Sequence, residues 1–145
     1  SGALAGLQLT GERVLADKVL VDVSNPLDFS QGFPPSLTIS NTDSLGEQLQ
    51  RAFPATKVVK TLNTVAASLM IEPRQLADGE HTMFVCGNAA DAKQQVTTLL
   101  ASFGWRDVVD LGDITNARGT EMWLPLWVRL YGALGTPAFN LKLVR

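Results

Sequence analysis

Cysteine and histidine occur once each in this chain of 145 residues, as Cys86 and His81. The lone cysteine excludes an intramolecular disulfide framework. His81 has no carboxylate or thiol partners clustered near it, which argues against metal ligation and for a histidine in a surface loop before a strand. No apolar stretch reaches the roughly 18 to 20 residues that cross a bilayer, since charge, Pro or Gly interrupts each one. No segment joins a charged leader, a long apolar run and a small-residue cleavage site, so a cytoplasmic chain is expected. An excess of one charge is missing too: 12 basic residues stand against 14 acidic ones, a net charge of -2. Without a basic surface, nucleic-acid binding is not expected.

The catalogue of phosphate and hydrolase motifs is equally thin. No G-x-G-x-x-G follows a strand, no G-x-x-x-x-G-K-[ST] occurs, and the G-x-S-x-G elbow of α/β hydrolases is absent. The nearest approach to a phosphate loop, Cys86-Gly87-Asn88-Ala89-Ala90-Asp91, has one glycine and places an acid where a pyrophosphate would sit, so the turn reads as structural. Cys86 ends an apolar strand without a histidine at a motif-like position and reads as a buried, inert thiol.

What is present is an alternation of short apolar runs with helical periodicity. Val19 to Val23 suits a strand buried on both faces, and Asn25-Pro26 ends it. Asp28 to Ser40, with Gly32, Pro34 and Pro35, reads as a long loop. Ser44 and Glu47 have capping-box spacing, and Leu45, Leu49, Ala52 and Phe53 share a helical face that Pro54 closes. A strand over Lys57 to Leu62 follows, then a short helix ending near Glu72-Pro73, and a strand over Thr82 to Cys86. Ala92, Val96, Leu99, Leu100 and Phe103 predict a helix that Gly104 stops. Asp107 to Leu111 predicts a strand, and Arg118 to Leu134 a helix that Pro125 kinks or divides. Phe139 to Val144 predicts a final strand. Strands separated by helices need crossover connections, so the expected class is α/β: a Rossmann-like, mostly parallel sheet with helices on both faces, in a single domain over residues 1–145.

Ligands of open parallel sheets gather at the carboxyl ends of strands. Two such ends carry similar chemistry: Asn25-Pro26-Leu27 and Asn63-Thr64-Val65. Asn and Pro also make turns in any protein, for local hydrogen-bonding and steric reasons. The helix bearing Met122, Trp123, Leu126, Trp127 and Leu130 suits an interface or ordinary core packing equally. Arg118 and Glu121, three apart, are spaced to pair across one helical turn.

The ordered set Lys18-Val19-Leu20-Val21-Asp22-Val23-Ser24-Asn25-Pro26-Leu27, Ser44-Leu45-Gly46-Glu47 and Val58-Val59-Lys60-Thr61-Leu62-Asn63-Thr64-Val65 resembles the NADP-dependent deazaflavin oxidoreductases. The likeness continues through Phe84 to Asn88, Phe103-Gly104-Trp105, Asp110 to Ile114, Arg118, Glu121 and Phe139-Asn140. It extends to the cytosolic reductase domain of six-transmembrane metalloreductases.

The resemblance implies hydride transfer between NADPH and a deazaflavin or flavin-like acceptor. It also implies that Asn25, Pro26, Leu27, Asn63, Thr64 and Val65 border the nicotinamide. Such a reaction needs stacking and exclusion of water more than an acid or base, so no catalytic residue and no metal is expected. In that family the glycine-rich fingerprint lies in an amino-terminal half with no counterpart here. The chain is therefore expected to be the carboxyl-terminal part of a longer reductase, not competent for the cofactor by itself. The Lys18 strand is expected to leave an unpaired edge and the chain to self-associate. A non-catalytic binding or assembly module is the alternative.

Overall fold

The computed structural model describes residues 2–145. Four strands form the central sheet: β1 (Val19–Asp22), β4 (Lys57–Thr61), β5 (Thr82–Cys86) and β6 (Asp107–Asp110), in the order β1-β4-β5-β6. Two of its three pairings are parallel, β1 with β4 from Val19↔Lys57 to Asp22↔Lys60, and β5 with β6 from Thr82↔Asp107 to Val85↔Asp110. The junction between these halves is antiparallel and short, through Lys60↔Cys86 and Thr61↔Val85. Among the described residues β1 pairs only with β4, so its other side is an open edge.

Alternation along the strands divides the core into two layers. On one face Val59, Met83 and Val85 pack with Leu69 of α4 (Ala67–Ile71) and with Ala92, Val96 and Leu100 of α5 (Ala90–Phe103). On the other, Val58 and Cys86 pack with Leu45 and Leu49 of α3 (Leu45–Ala52) and with Ala117 of α6 (Ala117–Met122). The Ser44 hydroxyl caps α3, accepting from Glu47 N at 3.1 Å and donating to the Glu47 carboxylate at 2.8 Å. Gly104 ends α5 at φ 105°, a left-handed position that favours glycine.

The structure adds elements to the expected fold, corrects some readings and settles the alternative left at Pro125. Two helices precede the first strand, α1 (Gly2–Thr10) and α2 (Glu12–Leu15); Leu4 and Leu7 of α1 lie against the second core layer. The loop from Asp28 to Ser40 contains part of a small hairpin, β2 (Leu27–Asp28) paired antiparallel with β3 (Ser36–Leu37). Residues 139 to 144 form no strand. The segment meets the start of β5, where Thr82 N donates to Leu141 O at 2.9 Å, but side chains take the neighbouring positions: Asn140 Nδ2 donates to Thr82 O at 2.9 Å and Leu143 N to Thr82 Oγ1 at 2.9 Å. His81 is buried, not a surface loop residue. Its Nε2 lies 2.9 Å from Pro73 O, its Nδ1 2.8 Å from Asn140 Nδ2, and its ring meets Trp105 edge-on at 4.8 Å. The long helix is divided at Trp123 into α6 and α7 (Leu124–Leu134), with Pro125 in the first turn of α7, where its missing N–H costs nothing.

The turn after β5 is structural, as its composition indicates. A Cβ on Gly87 would lie 2.6 Å from Val58 O, a backbone atom of the neighbouring strand that cannot yield. Gly87→Ala is therefore expected to force β4 and β5 apart and to destabilise the fold by about 1–3 kcal/mol, read as a lower urea midpoint. An unchanged midpoint would refute the close approach.

Candidate functional site

Because β1 and β4 run parallel and in register, their carboxyl ends open on the same edge of the sheet. There the two asparagines meet: Asn25 Nδ2 donates to Asn63 O at 2.9 Å, and Asn63 Nδ2 donates to Asn25 Oδ1 at 2.9 Å. Residues 38 apart in sequence thus form one uncharged amide pair. Leu62, just before it, has φ 61°, a left-handed conformation uncommon for a side chain of this kind, and it turns the chain sharply at the end of β4.

The other expected site residues are arranged less uniformly. Pro26 is buried and its carbonyl accepts from Thr38 N at 2.8 Å, while Leu27 opens the hairpin. Thr64 is buried with no protein partner for its hydroxyl. The Val65 side chain belongs to the α5 core layer, which leaves only its backbone near the edge.

A buried charge cluster fixes this edge from below. Lys60 Nζ contacts Asp22 Oδ2 at 2.8 Å, Glu121 Oε1 at 2.8 Å and Ser24 O at 2.6 Å. All three side chains are essentially excluded from solvent. Asp22 Oδ1 in turn accepts from Ser24 N at 2.9 Å and from Ser24 Oγ at 2.5 Å. The Glu121 carboxylate also accepts from Leu45 N at 2.8 Å and Gly46 N at 3.0 Å, the first amides of α3. With the Lys60 ammonium, those amides at the positive end of the helix complete the partners of the Glu121 carboxylate.

Glu121 therefore does not pair with Arg118, contrary to their spacing. Arg118 points to α3 instead, donating to Glu47 at 2.6 and 2.8 Å.

The chemistry open to this arrangement is narrow. An ammonium has three donors, and those of Lys60 face three acceptors, so it is a brace rather than a base. Cys86 is fully buried and its thiol is pushed up to about 12, chiefly by burial, which makes it a poor nucleophile. Among the described residues no group of three or more His, Cys, Asp or Glu side chains is placed to hold a metal ion. The edge offers neutral hydrogen-bonding groups on a rigid base.

The brace was not foreseen, although the sequence carries its signal. Asp22 and Lys60 are charged residues inside apolar strands, and such positions need partners when buried. Glu121 could not be assigned to them, since its partner lies on a strand far away in sequence.

A helix-covered, largely parallel sheet with an asparagine pair at two strand ends defines a Rossmann-like α/β chain. It superposes on a crystal structure described as a candidate F420-dependent NADP-reductase from Arthrobacter sp. FB24, with a TM-score of 0.97 and 61% identity over 99% of this chain and 65% of that one. It also matches the hypothetical protein SMa0349 from Sinorhizobium meliloti, with a TM-score of 0.56 and 27% identity over 88% of this chain and 55% of that one. Among curated proteins it is 34% identical to Metalloreductase STEAP3 of Rattus norvegicus and 33% identical to Metalloreductase STEAP2 of Homo sapiens. Each match spans 78% of this chain, but only 22% and 20% of those proteins. No family model matches the chain. Both resemblances read from the sequence, to deazaflavin-type NADP reductases and to metalloreductases, are thus present among its relatives.

Two outcomes follow from the charges. Lys60→Met would leave Asp22 and Glu121 buried without a cation, so a loss of about 3–5 kcal/mol is expected in urea unfolding, and a loss below about 1 kcal/mol would refute the brace. In acid, Glu47 is held below the ordinary carboxylate range by its hydrogen bonds from Arg118, and Asp43 is lowered to about 2 by those from Arg51. Both acids bind protons less readily folded than unfolded. Their stabilisation is present above the unfolded carboxylate range and is lost as pH falls through the lower folded values. Arg118→Ala is expected to move the acid-unfolding midpoint to higher pH, measured by circular dichroism.

Proposed function

We propose that this chain is part of an NADP-dependent oxidoreductase that transfers a hydride between NADPH and a deazaflavin or flavin-like acceptor. The observation that carries the reading is the 61% identity and TM-score of 0.97 to the Arthrobacter chain, whose description names an NADP-reductase. Nicotinamide would supply the hydride. For this chain's residues the requirement is then to orient a flat ring with a carboxamide edge and to exclude water. The Asn25–Asn63 pair fits that edge, since amides complement a carboxamide in both donor and acceptor, with Thr64 beside it and Pro26, Leu27 and the Val65 backbone as borders. The phosphates fit less well: the sequence has no glycine-rich turn, and the site's one lysine is consumed internally. We therefore take the chain, a single α/β domain, as the carboxyl-terminal part of a cytoplasmic reductase that binds the dinucleotide fully only when joined to the rest.

Calorimetric titration of the purified chain tests this. NADPH and nicotinamide mononucleotide are expected to bind equally weakly, with half-saturation near about 1 mM or above, and Asn63→Ala is expected to weaken both at least about fivefold. Micromolar binding of NADPH alone would reveal a phosphate site here and overturn the division of labour. Indifference to Asn63→Ala would overturn the site.

A second reading, a self-associating module, draws on α7, where Leu126, Tyr131 and Leu134 are exposed at 50%, 41% and 56%, and on the open edge of β1. Sedimentation of the chain as a dimer would favour it.

A further inference from the structure

Residues 139 to 145 cross the start of β5 without joining the sheet, and one of their ties there is to a buried imidazole. His81 is 2% exposed. Asn140 Nδ2 donates to Thr82 O at 2.9 Å and lies 2.8 Å from His81 Nδ1, while His81 Nε2 lies 2.9 Å from Pro73 O. A carbonyl oxygen only accepts. Thr82 O therefore orients the Asn140 amide with its nitrogen toward it, and Pro73 O requires the ring hydrogen on Nε2. Nδ1 is left with a lone pair, which takes the second hydrogen of the Asn140 amide. These contacts fit one species, the neutral imidazole with its hydrogen on Nε2.

A second proton has no place in this arrangement. On Nδ1 it would point at the Asn140 amino group, donor against donor. Turning the amide would instead set Asn140 Oδ1 against Thr82 O, acceptor against acceptor. Among the described residues no carboxylate is bonded to the ring. Trp105 meets it edge-on, and the Trp105 Nε1 donates to Met70 O. Glu80, next in sequence, pairs with Arg106 and Lys142, and Asp107 accepts from Thr82 Oγ1 and Arg145. Glu72 and Arg74, which flank Pro73, are exposed. An imidazolium here would be a buried charge without a counter-ion, which is unfavourable.

We infer that residues 139–145 form a proton-operated strap: neutral His81 holds Asn140 and keeps the strap on β5, and protonated His81 releases it. Imidazole is the side chain that ordinarily changes charge between pH 5 and 8, and the sequence contains one. The other ties of the strap do not change over that range. Glu80 and Asp107 are held below the ordinary carboxylate range, Glu80 chiefly by its bond from Arg106 and Asp107 chiefly by that from Thr82. Their pairs with Lys142 and Arg145 therefore persist, but they are largely exposed and contribute little. The neutral ring belongs to the attached strap, so attachment is favoured at high pH and lost as pH falls through the titration of the imidazole. Leu141 of the strap lines one cleft with Thr64, so release uncovers that side of the strand-end site. This last consequence alone rests on the oxidoreductase reading.

The single histidine makes the test direct. In nuclear magnetic resonance of the chain labelled with nitrogen-15 and carbon-13, the His81 ring signals report the proton and the Leu143 amide reports the strap. From pH 8 to pH 5 the order parameter of that amide is expected to fall from about 0.85 to below about 0.6, with the same midpoint as the His81 titration. The Val85 amide, inside β5, is expected to stay rigid, which separates release from unfolding. Asn140→Asp is expected to reverse the sense and give a strap firmer at pH 5 than at pH 8. Its carboxylate accepts from the imidazolium, whereas a neutral ring has one hydrogen for two acceptors. His81→Gln, which cannot titrate, is expected to abolish the response to pH.

A Leu143 amide still rigid at pH 5, or one that loses its order only together with Val85, would overturn the strap. So would a response that persists in His81→Gln or keeps its sense in Asn140→Asp. No ligand takes part in these measurements, so their failure is distinct from failure of the calorimetric titration.

Discussion

Lys60 is the residue on which the geometry of the sheet edge depends. Its ammonium joins the end of β1 through Asp22, the loop beyond it through Ser24 O, and α6 through Glu121. Glu121 extends the connection to the first amides of α3. Four separate parts of the chain are thereby tied at one buried point. A buried ion cluster is weak evidence for net stability, because desolvation offsets much of its attraction. What it provides is registration. An apolar substitute of equal volume would pack β1 against β4, yet it would not specify where Ser24 O sits, and Ser24 immediately precedes Asn25.

The separation of tasks follows from that brace. The charged groups are saturated by one another, and the strand-end groups above them are neutral. A free cation or carboxylate at the edge would favour proton transfer or charged ligands. Here the charge is enclosed and the neutral groups at the strand ends are amide and hydroxyl. Arg118 adds a second link between the same layers by bonding Glu47, which leaves Glu121 to Lys60. Were Arg118 and Glu121 paired with each other, as their spacing in α6 suggests, Lys60 and Glu47 would each lose a partner.

Much of this fold was legible because the signals were local. The capping box at Ser44 and Glu47, the left-handed stop at Gly104, the turn at Gly87 and the division near Pro125 rest on short-range sterics or hydrogen bonding, and each appears in the structure. The two asparagines were legible for another reason: parallel strands in register bring their ends together whatever lies between them. The errors share the opposite cause. Residues 139 to 144 have the composition of a strand, but side chains take the ladder positions at the start of β5, where Asn140 Nδ2 donates to Thr82 O and Leu143 N donates to Thr82 Oγ1. His81 reads as a loop residue until Pro73, Trp105 and Asn140 enclose it. Lys60 and Glu121 belong together only in three dimensions.

The strand end itself shows where regularity is given up. β4 is buried along almost its whole length, and its interior side chains are packed or bonded, down to Thr61 Oγ1 donating to Phe84 O at 2.7 Å. Immediately beyond it come the left-handed Leu62, the amide pair at Asn63 and the partnerless hydroxyl of Thr64. A positive φ at a leucine and an unsatisfied buried hydroxyl are each unfavourable by an amount on the order of 1–3 kcal/mol. Chains selected for stability alone have simple remedies, a glycine at the first position and a valine at the second. Neither residue stands here. The departures fall on consecutive residues, at the edge where β1 and β4 end together, directly above a brace that holds them in place. Strain concentrated over a rigid support is what the proposed binding edge requires.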